Sequence, residues 1–107
     1  MGIQEPFTHN QFVTWMYLNE PYEEERAYIG LSFMWNLPAS NPFNYCAWLH
    51  DGYYRHHHVH GRSKGFADKQ FNICMKRVIA RGGGSHVRRV FYSLMVRSPL
   101  GWLGWVS

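Results

Sequence analysis

A histidine and a carboxylate lie side by side in the stretch CAWLHDGYY, residues 46–54, within an aromatic-rich part of the chain. Asp51 and Asp68 are the only acids after residue 26, where ten Lys and Arg residues follow. A buried charge costs free energy unless it is paired or holds a metal. A histidine can act as a general base, and carboxylates with main-chain carbonyls are ligands that Ca²⁺ prefers. These residues could therefore abstract a proton, bind a metal, or do both.

Two helices are predicted to position these side chains. Asn41-Pro42 predicts a helix start, with Asn41 as N-cap, and apolar residues spaced three and four apart continue the pattern to about His57. A second helix is predicted from about Gly65 to Arg81, where a run of three glycines ends it. The linking tract HHHVHGRSKG is predicted to be a polar loop.

The short link between these helices predicts antiparallel packing. The register that places His50 opposite Asp68 also brings Cys46 and Cys74 within about one turn of each other. Asp68 would then accept a hydrogen bond from one imidazole nitrogen and leave the other free to take a proton. Asp51 points about 100° away around the helix, toward residues 22–40, which are predicted to form a long loop with at most a short strand.

The chain is predicted to be a single, mainly α domain spanning residues 1–107. Thr8 and Gln11 fit a capping box that opens a short N-terminal helix ending near Asn19. Ser85 is predicted to cap a third helix that Ser98-Pro99 closes. Five apolar residues of this helix are predicted to face inward: Val87, Val90, Phe91, Leu94 and Met95.

The motif HDGYY at 50–54, followed by ADKQF at 67–71, resembles the catalytic helices of the phospholipase A2 superfamily. The closest resemblance is to the phospholipase domain at the N-terminus of parvovirus capsid proteins. Tyr28-Ile29-Gly30, and then Asn41-Pro42 separated from the histidine by seven residues, match the same pattern. The resemblance covers about residues 27–97.

This resemblance implies calcium-dependent hydrolysis of the sn-2 ester of phospholipids. It implies that His50 is the general base, that Asp68 is its partner, and that Tyr54 donates a hydrogen bond to Asp68. The implied calcium ligands are one carboxylate and three main-chain carbonyls: Asp51, Tyr28, Gly30 and Ser32. The resemblance also implies a disulfide, or a close thiol pair, between two cysteines: Cys46 and Cys74.

The calcium loop departs from the family pattern. Ser32 stands where the family has a glycine, Phe33 where it has an asparagine, and Asn44 where it has an aspartate. Main-chain carbonyls can still bind a cation, so these changes are expected to weaken calcium binding, and hence the rate, rather than to remove the site.

The charge distribution predicts a polyanionic partner, because residues 27–107 carry a net charge of +8. An anionic phospholipid surface would also suit the tryptophans expected to anchor at it: Trp15, Trp35, Trp102 and Trp105. The capsid resemblance implies a virion or secreted location, a role in breaching membranes, and possible participation in capsid assembly. The start of the chain shows no signal peptide.

Other functions compete with the phospholipase hypothesis. The triplet formed by His58, Val59 and His60 resembles the metal-binding motif of HUH-type rolling-circle nucleases. Those enzymes also need a tyrosine nucleophile with a nearby lysine, and the segment after Tyr92 lacks that lysine. A basic protein that binds nucleic acid through phosphate contacts, or packages it, would need neither His50 nor Asp51. A zinc or copper site in the histidine tract is less favoured, since no Cys or acid adjoins its members: His56, His57, His58 and His60.

Overall fold

The structure is a computed structural model that describes residues 5–26, 28, 40–99 and 101–105. The fold is mainly α, as predicted, and these residues contain no strand. Six helices follow one another: α1 His9–Asn19, α2 Asn44–Arg55, α3 His57–His60, α4 Lys64–Ala80, α5 His86–Arg97 and α6 Gly101–Trp105. Helices α2 and α4 form the central pair, and α5 packs against α4. Within the described ranges, no helix is long and apolar enough to cross a membrane.

The predicted loop over residues 22–40 lies largely outside the described residues. Gly30 and Ser32, two of the four implied calcium ligands, fall in that part, as does Trp35. Tyr28 is described. Its main-chain N–H donates to Oδ1 of Asn44 at 2.8 Å, which ties the start of this segment to α2.

Helix α1 has the predicted ends. The Thr8 hydroxyl accepts from the main-chain N–H of Gln11 at 3.1 Å, and the Gln11 side chain accepts from the Thr8 N–H at 2.9 Å. This capping box is confirmed. The buried Met16 packs α1 onto α2 at Gly52, where any larger residue would place a Cβ against the tip of the methionine.

Helix α2 begins and ends two residues inside the predicted range, at Asn44 and Arg55. Asn41 does not cap it. Instead, the Asn41 side-chain oxygen accepts from the Phe43 N–H at 2.9 Å, which stabilises a turn before the helix. Burial extends around most of α2 rather than along one face, since Trp48 is as buried as the residues that face α4.

The histidine tract was predicted to be a loop, but residues 57–60 form the short helix α3. His60 is fully buried. Its Nε2 contacts the carbonyl oxygen of Tyr53 at 2.7 Å, and its Nδ1 accepts from the Arg62 N–H at 2.8 Å. These two hydrogen bonds satisfy both ring nitrogens of His60, so this histidine is buried although it belongs to a polar tract.

Helices α4 and α5 begin near their predicted positions. The Ser63 and Ser85 hydroxyls cap them, accepting from main-chain N–H groups at 3.1 and 3.2 Å. The predicted inward face of α5 is wrong: Val87 is 81% and Leu94 64% exposed. The residues of α5 that are buried are instead Tyr92, Ser93 and Val96.

Candidate active site

The predicted register of α2 and α4 is confirmed by two contacts. His50 Nε2 lies 2.8 Å from Asp68 Oδ1. One turn away along α2, Cys46 forms a disulfide with Cys74, with a Cα–Cα distance of 5.6 Å. A cross-link closing a loop of 28 residues is expected to stabilise a fold by about 3–4 kcal/mol. The two helices that hold His50 and Asp68 are thus covalently fixed beside the pair.

The Asp68 carboxylate is buried and accepts hydrogen bonds at both oxygens. Besides His50, the Tyr54 hydroxyl donates to Oδ1 at 2.6 Å, and the Lys64 ammonium donates to Oδ2 at 2.8 Å. Burial opposes ionisation of Asp68. The hydrogen bonds from His50, Lys64 and Tyr54 outweigh that effect and hold the pKa of the Asp68 carboxyl below its usual range. Asp68 is therefore ionised at neutral pH.

The hydrogen bond to Asp68 defines which nitrogen of His50 can act as a base. Since the carboxylate accepts, Nε2 donates, and a neutral imidazole then has its lone pair on Nδ1. The ring is held between Phe71 and Tyr54, with centroid distances of 4.5 and 4.3 Å. Burial and the bond to Asp68 raise the pKa of Tyr54, which keeps its hydroxyl protonated as a donor. The sequence-predicted trio of His50, Asp68 and Tyr54 is thus brought together, while its catalytic role stays a prediction.

Lys64 is a residue of this site that the sequence analysis missed. Its side chain is 6% exposed, and its ammonium donates to Asp68 and to the Val96 carbonyl at 2.5 Å. Lysines are almost never fully buried unless paired. The signal was present, because Lys64 lies four residues before Asp68 and so on the same face of α4. The positive charge of the Lys64 ammonium balances the negative charge of the Asp68 carboxylate, so the buried pair carries no net charge.

Helix α6 covers Lys64, and this packing requires a glycine. A Cβ at Gly101 would overlap the Val96 carbonyl and lie 3.1 Å from Lys64 Nζ. The next residue, Trp102, has its ring centroid 5.2 Å from the ammonium. A close approach of α6 to α5 therefore shields the charged cluster from solvent.

Asp51, the implied carboxylate ligand of calcium, lies on the other side of α2 and is two-fifths exposed. Its Oδ2 accepts from Arg55 Nε at 2.8 Å, and Arg55 also binds both oxygens of Glu20. Across the described part of the chain, no three His, Cys, Asp or Glu residues gather in a way that could hold a metal.

A narrow crevice borders His50 and is too small to admit a water molecule. It adjoins a cavity of about 260 Å³ that lies between α1 and the central helix pair and has Arg77 and Arg81 in its wall. The crevice and the cavity share four wall residues: His9, Leu49, Gln70 and Cys74. Substrate or water reaching His50 from this side would need these side chains to move.

Comparison of the chain with protein-family models, with curated proteins and with solved structures finds no match. Function is therefore proposed below from the geometry of the site together with the motif resemblance.

Acid is expected to destabilise the fold in two steps. Burial, more than any other effect, lowers the pKa of both His60 and His9, so their stabilising contribution is lost as pH falls below about 6.5. The pKa of Asp68 is also lowered, so its contribution is present above about pH 4 and is lost as pH falls through the lowered value.

Urea unfolding midpoints measured from neutral to strongly acidic pH would test this expectation. The variant Asp68→Asn should keep the first step and shrink the second. The remainder of the second step comes from Glu20, whose pKa is also lowered because hydrogen bonds from Arg55 and His56 outweigh the effect of burial. A midpoint that stays constant between neutral pH and about pH 5 would contradict the assignment of the buried His60 and the half-buried His9 as neutral groups in the fold.

Proposed function

We propose that this protein is a calcium-dependent, phospholipase A2-like esterase that hydrolyses the sn-2 ester of phospholipids. The observation that carries the proposal is the buried hydrogen-bonded set of His50, Asp68 and Tyr54 on two antiparallel, disulfide-linked helices. The motifs HDGYY and ADKQF, which resemble those of the superfamily, supply the same residues.

In this mechanism His50 Nδ1 takes a proton from a water molecule while the water oxygen attacks the ester carbonyl carbon. The proton then passes to the departing alcohol as the carbon–oxygen bond breaks. Asp68 stabilises the imidazolium that forms and fixes the tautomer, as the third member of such a relay does. Tyr54 and Lys64 hold Asp68 in place. General base catalysis of this kind contributes on the order of 10²–10⁴-fold in rate.

Calcium would be held by the Asp51 carboxylate and by main-chain carbonyls of Tyr28, Gly30 and Ser32. This donor set fits the ion, since Ca²⁺ binds carboxylate and carbonyl oxygens. Arg55 engages Oδ2 of Asp51, which leaves Oδ1 as the oxygen for a cation. When bound, the ion would supply Lewis-acid stabilisation of negative charge on the ester oxygen and on the lipid phosphate.

The disulfide supports a virion or secreted location, because such bonds persist in oxidising environments and are rare in the cytosol. In that setting, hydrolysis of a bilayer lipid would serve to breach a membrane during viral entry. A role in capsid assembly remains part of the resemblance alone.

The nuclease alternative receives less support from the geometry. Both ring nitrogens of His60 are engaged by main-chain groups, so neither offers a lone pair to a metal without a rearrangement. Tyr92 is buried against Asn41 rather than presented to a substrate. Simple binding of nucleic acid by the basic surface is a separate alternative, which the fatty-acid release and vesicle-binding measurements distinguish from the esterase.

Replacing Asp51 with asparagine is expected to abolish calcium-dependent fatty-acid release. The measurement is release from phospholipid vesicles in calcium and in EDTA, with Glu20→Gln as the matched control. Both variants remove one carboxylate partner of Arg55, but only Asp51 is an implied calcium ligand. Glu20→Gln should therefore keep its activity.

Two results would count against the proposal. Release by the wild type that EDTA does not reduce would remove calcium from the mechanism. No release at millimolar calcium would overturn the esterase proposal and leave binding of lipid or nucleic acid as the function.

A further inference from the structure

Helix α5 carries apolar residues on two opposite faces. Its inner face, formed by Tyr92, Ser93 and Val96, is buried in the fold. At about 100° per residue, four further apolar residues lie on an arc of about 100°, centred on the opposite side of the helix from Val96. We call this outer set the α5 stripe: Val87, Val90, Phe91 and Leu94.

All four members of the α5 stripe are exposed. Val87 and Leu94 are 81% and 64% exposed, and Val90 and Phe91 are both 44% exposed. Isolated apolar residues on a surface need no explanation, but a contiguous set with polar flanks marks an interaction site.

The flanks of the α5 stripe are basic. On the same helical projection, Arg88 lies beyond one edge of the stripe and Arg97 beyond the other, each within about 110° of its centre. Both arginines are exposed. The chain carries seven Lys and Arg residues after Asp68 and no Asp or Glu there. The surface around the stripe therefore attracts negative charge.

We propose that the α5 stripe docks on the surface of an anionic phospholipid bilayer. An interfacial helix of this kind buries its apolar arc at the boundary of headgroups and acyl chains, while its flanking cations bind the anionic headgroups. Charge argues against a second copy as the occupant, because two stripes facing each other would bring four arginines together with no acid from α5 to compensate them.

The docked face is close to the candidate active site. The inner face of α5 contacts the site directly, since the Val96 carbonyl accepts from Lys64. The His50–Asp68 pair would thus lie behind α5 and Lys64, more than one helix diameter of about 10–12 Å from the bilayer contact. The value of this placement for hydrolysis rests on the proposed function, whereas docking itself does not.

Co-sedimentation with vesicles in EDTA separates docking from hydrolysis. The probes are vesicles of phosphatidylcholine alone and of phosphatidylcholine with a minor fraction of phosphatidylglycerol. We expect binding to the second kind only, and weaker binding at higher ionic strength.

The variant Leu94→Gln should bind these vesicles at least about tenfold more weakly, because burial of a leucine side chain contributes at least that factor to an affinity. Leu18→Gln, at an apolar site on α1 that is more exposed than Leu94 (78% against 64%), should bind as the wild type does.

Two double variants test the contribution of the arginines that flank the α5 stripe. Arg88→Gln with Arg97→Gln should lose about fivefold in vesicle affinity per arginine. Lys69→Gln with Lys76→Gln changes the net charge equally on the exposed surface of α4 and should lose less. All four positions are exposed, so far-ultraviolet circular dichroism should show an unchanged fold.

Several results would overturn the proposal. The proposal fails if Leu94→Gln binds vesicles as tightly as the wild type does, or if binding to pure phosphatidylcholine is equally strong. A dimer seen by light scattering that Leu94→Gln dissociates would make a second copy the occupant. Tighter binding to duplex DNA than to vesicles, unaffected by Leu94→Gln, would identify a nucleic-acid surface. Normal docking without fatty-acid release would overturn the proposed function and leave this inference standing.

Discussion

Replacement of His50 with alanine is expected to reduce calcium-dependent fatty-acid release to the level seen in EDTA. Removing the group proposed to take the water proton should cost on the order of 10²–10⁴-fold in rate. Asp68 cannot substitute, because its lowered pKa makes it a poor base and because three donors already occupy its oxygens. The measurement is initial release from vesicles that contain phosphatidylglycerol.

The loss must be separated from unfolding, because His50 is buried and its ring packs on Phe71 and Tyr54. The variant His50→Asn keeps a polar side chain that can donate to Asp68, and it should be folded yet inactive. His58→Ala, at an exposed position in the histidine tract, is the matched control and should keep full activity. Activity retained in His50→Asn would rule out His50 as the base.

The parts of the fold that followed from the sequence were those encoded by local spacing. Two amphipathic segments with a short link predict an antiparallel pair, and one register then satisfies both His50 with Asp68 and Cys46 with Cys74. The capping box at Thr8 is likewise a signal contained within four residues. The first of these predictions depends on helix geometry and on the short link between two neighbouring helices, and the second on residues within one helical turn.

The inner face of α5 could not be predicted in this way, because distant partners determine it. The Ser93 hydroxyl donates to Asn72 Oδ1 at 3.1 Å, and Asn41 donates to the Tyr92 hydroxyl at 3.3 Å across 51 residues. Hydrogen bonds over such separations leave no local pattern. A periodicity argument therefore assigned five other residues of α5 to the core: Val87, Val90, Phe91, Leu94 and Met95.

His60 and Lys64 were misjudged for a related reason. Composition predicts that histidine tracts and lysines are solvated, since desolvating such groups is costly. The cost is offset here by specific partners: main-chain groups for His60, and Asp68 with Val96 for Lys64. Only the spacing of four residues between Lys64 and Asp68 was visible beforehand.

Replacing Lys64 with methionine is expected to lower the free energy of unfolding by about 3–5 kcal/mol. Methionine retains most of the apolar stem but removes the ammonium, which leaves the Asp68 carboxylate buried without its counter-charge. For a domain whose total stability is about 5–15 kcal/mol, this is a large fraction. The melting temperature should fall by more than about 10 °C. Lys69→Met, at an exposed position on the same helix, should change it little.

A double-mutant cycle distinguishes charge pairing from simple loss of packing. Asp68→Asn alone leaves the Lys64 ammonium buried and unpaired, so it too should be strongly destabilising. When both substitutions are combined, neither charge remains, and the double variant should be more stable than the sum of the two single effects predicts. Additive effects would show that Lys64 and Asp68 are not coupled. A coupling of about 1 kcal/mol or more would establish that Lys64 and Asp68 stabilise each other as a charge pair, one of the three contacts that keep the carboxylate beside His50 ionised.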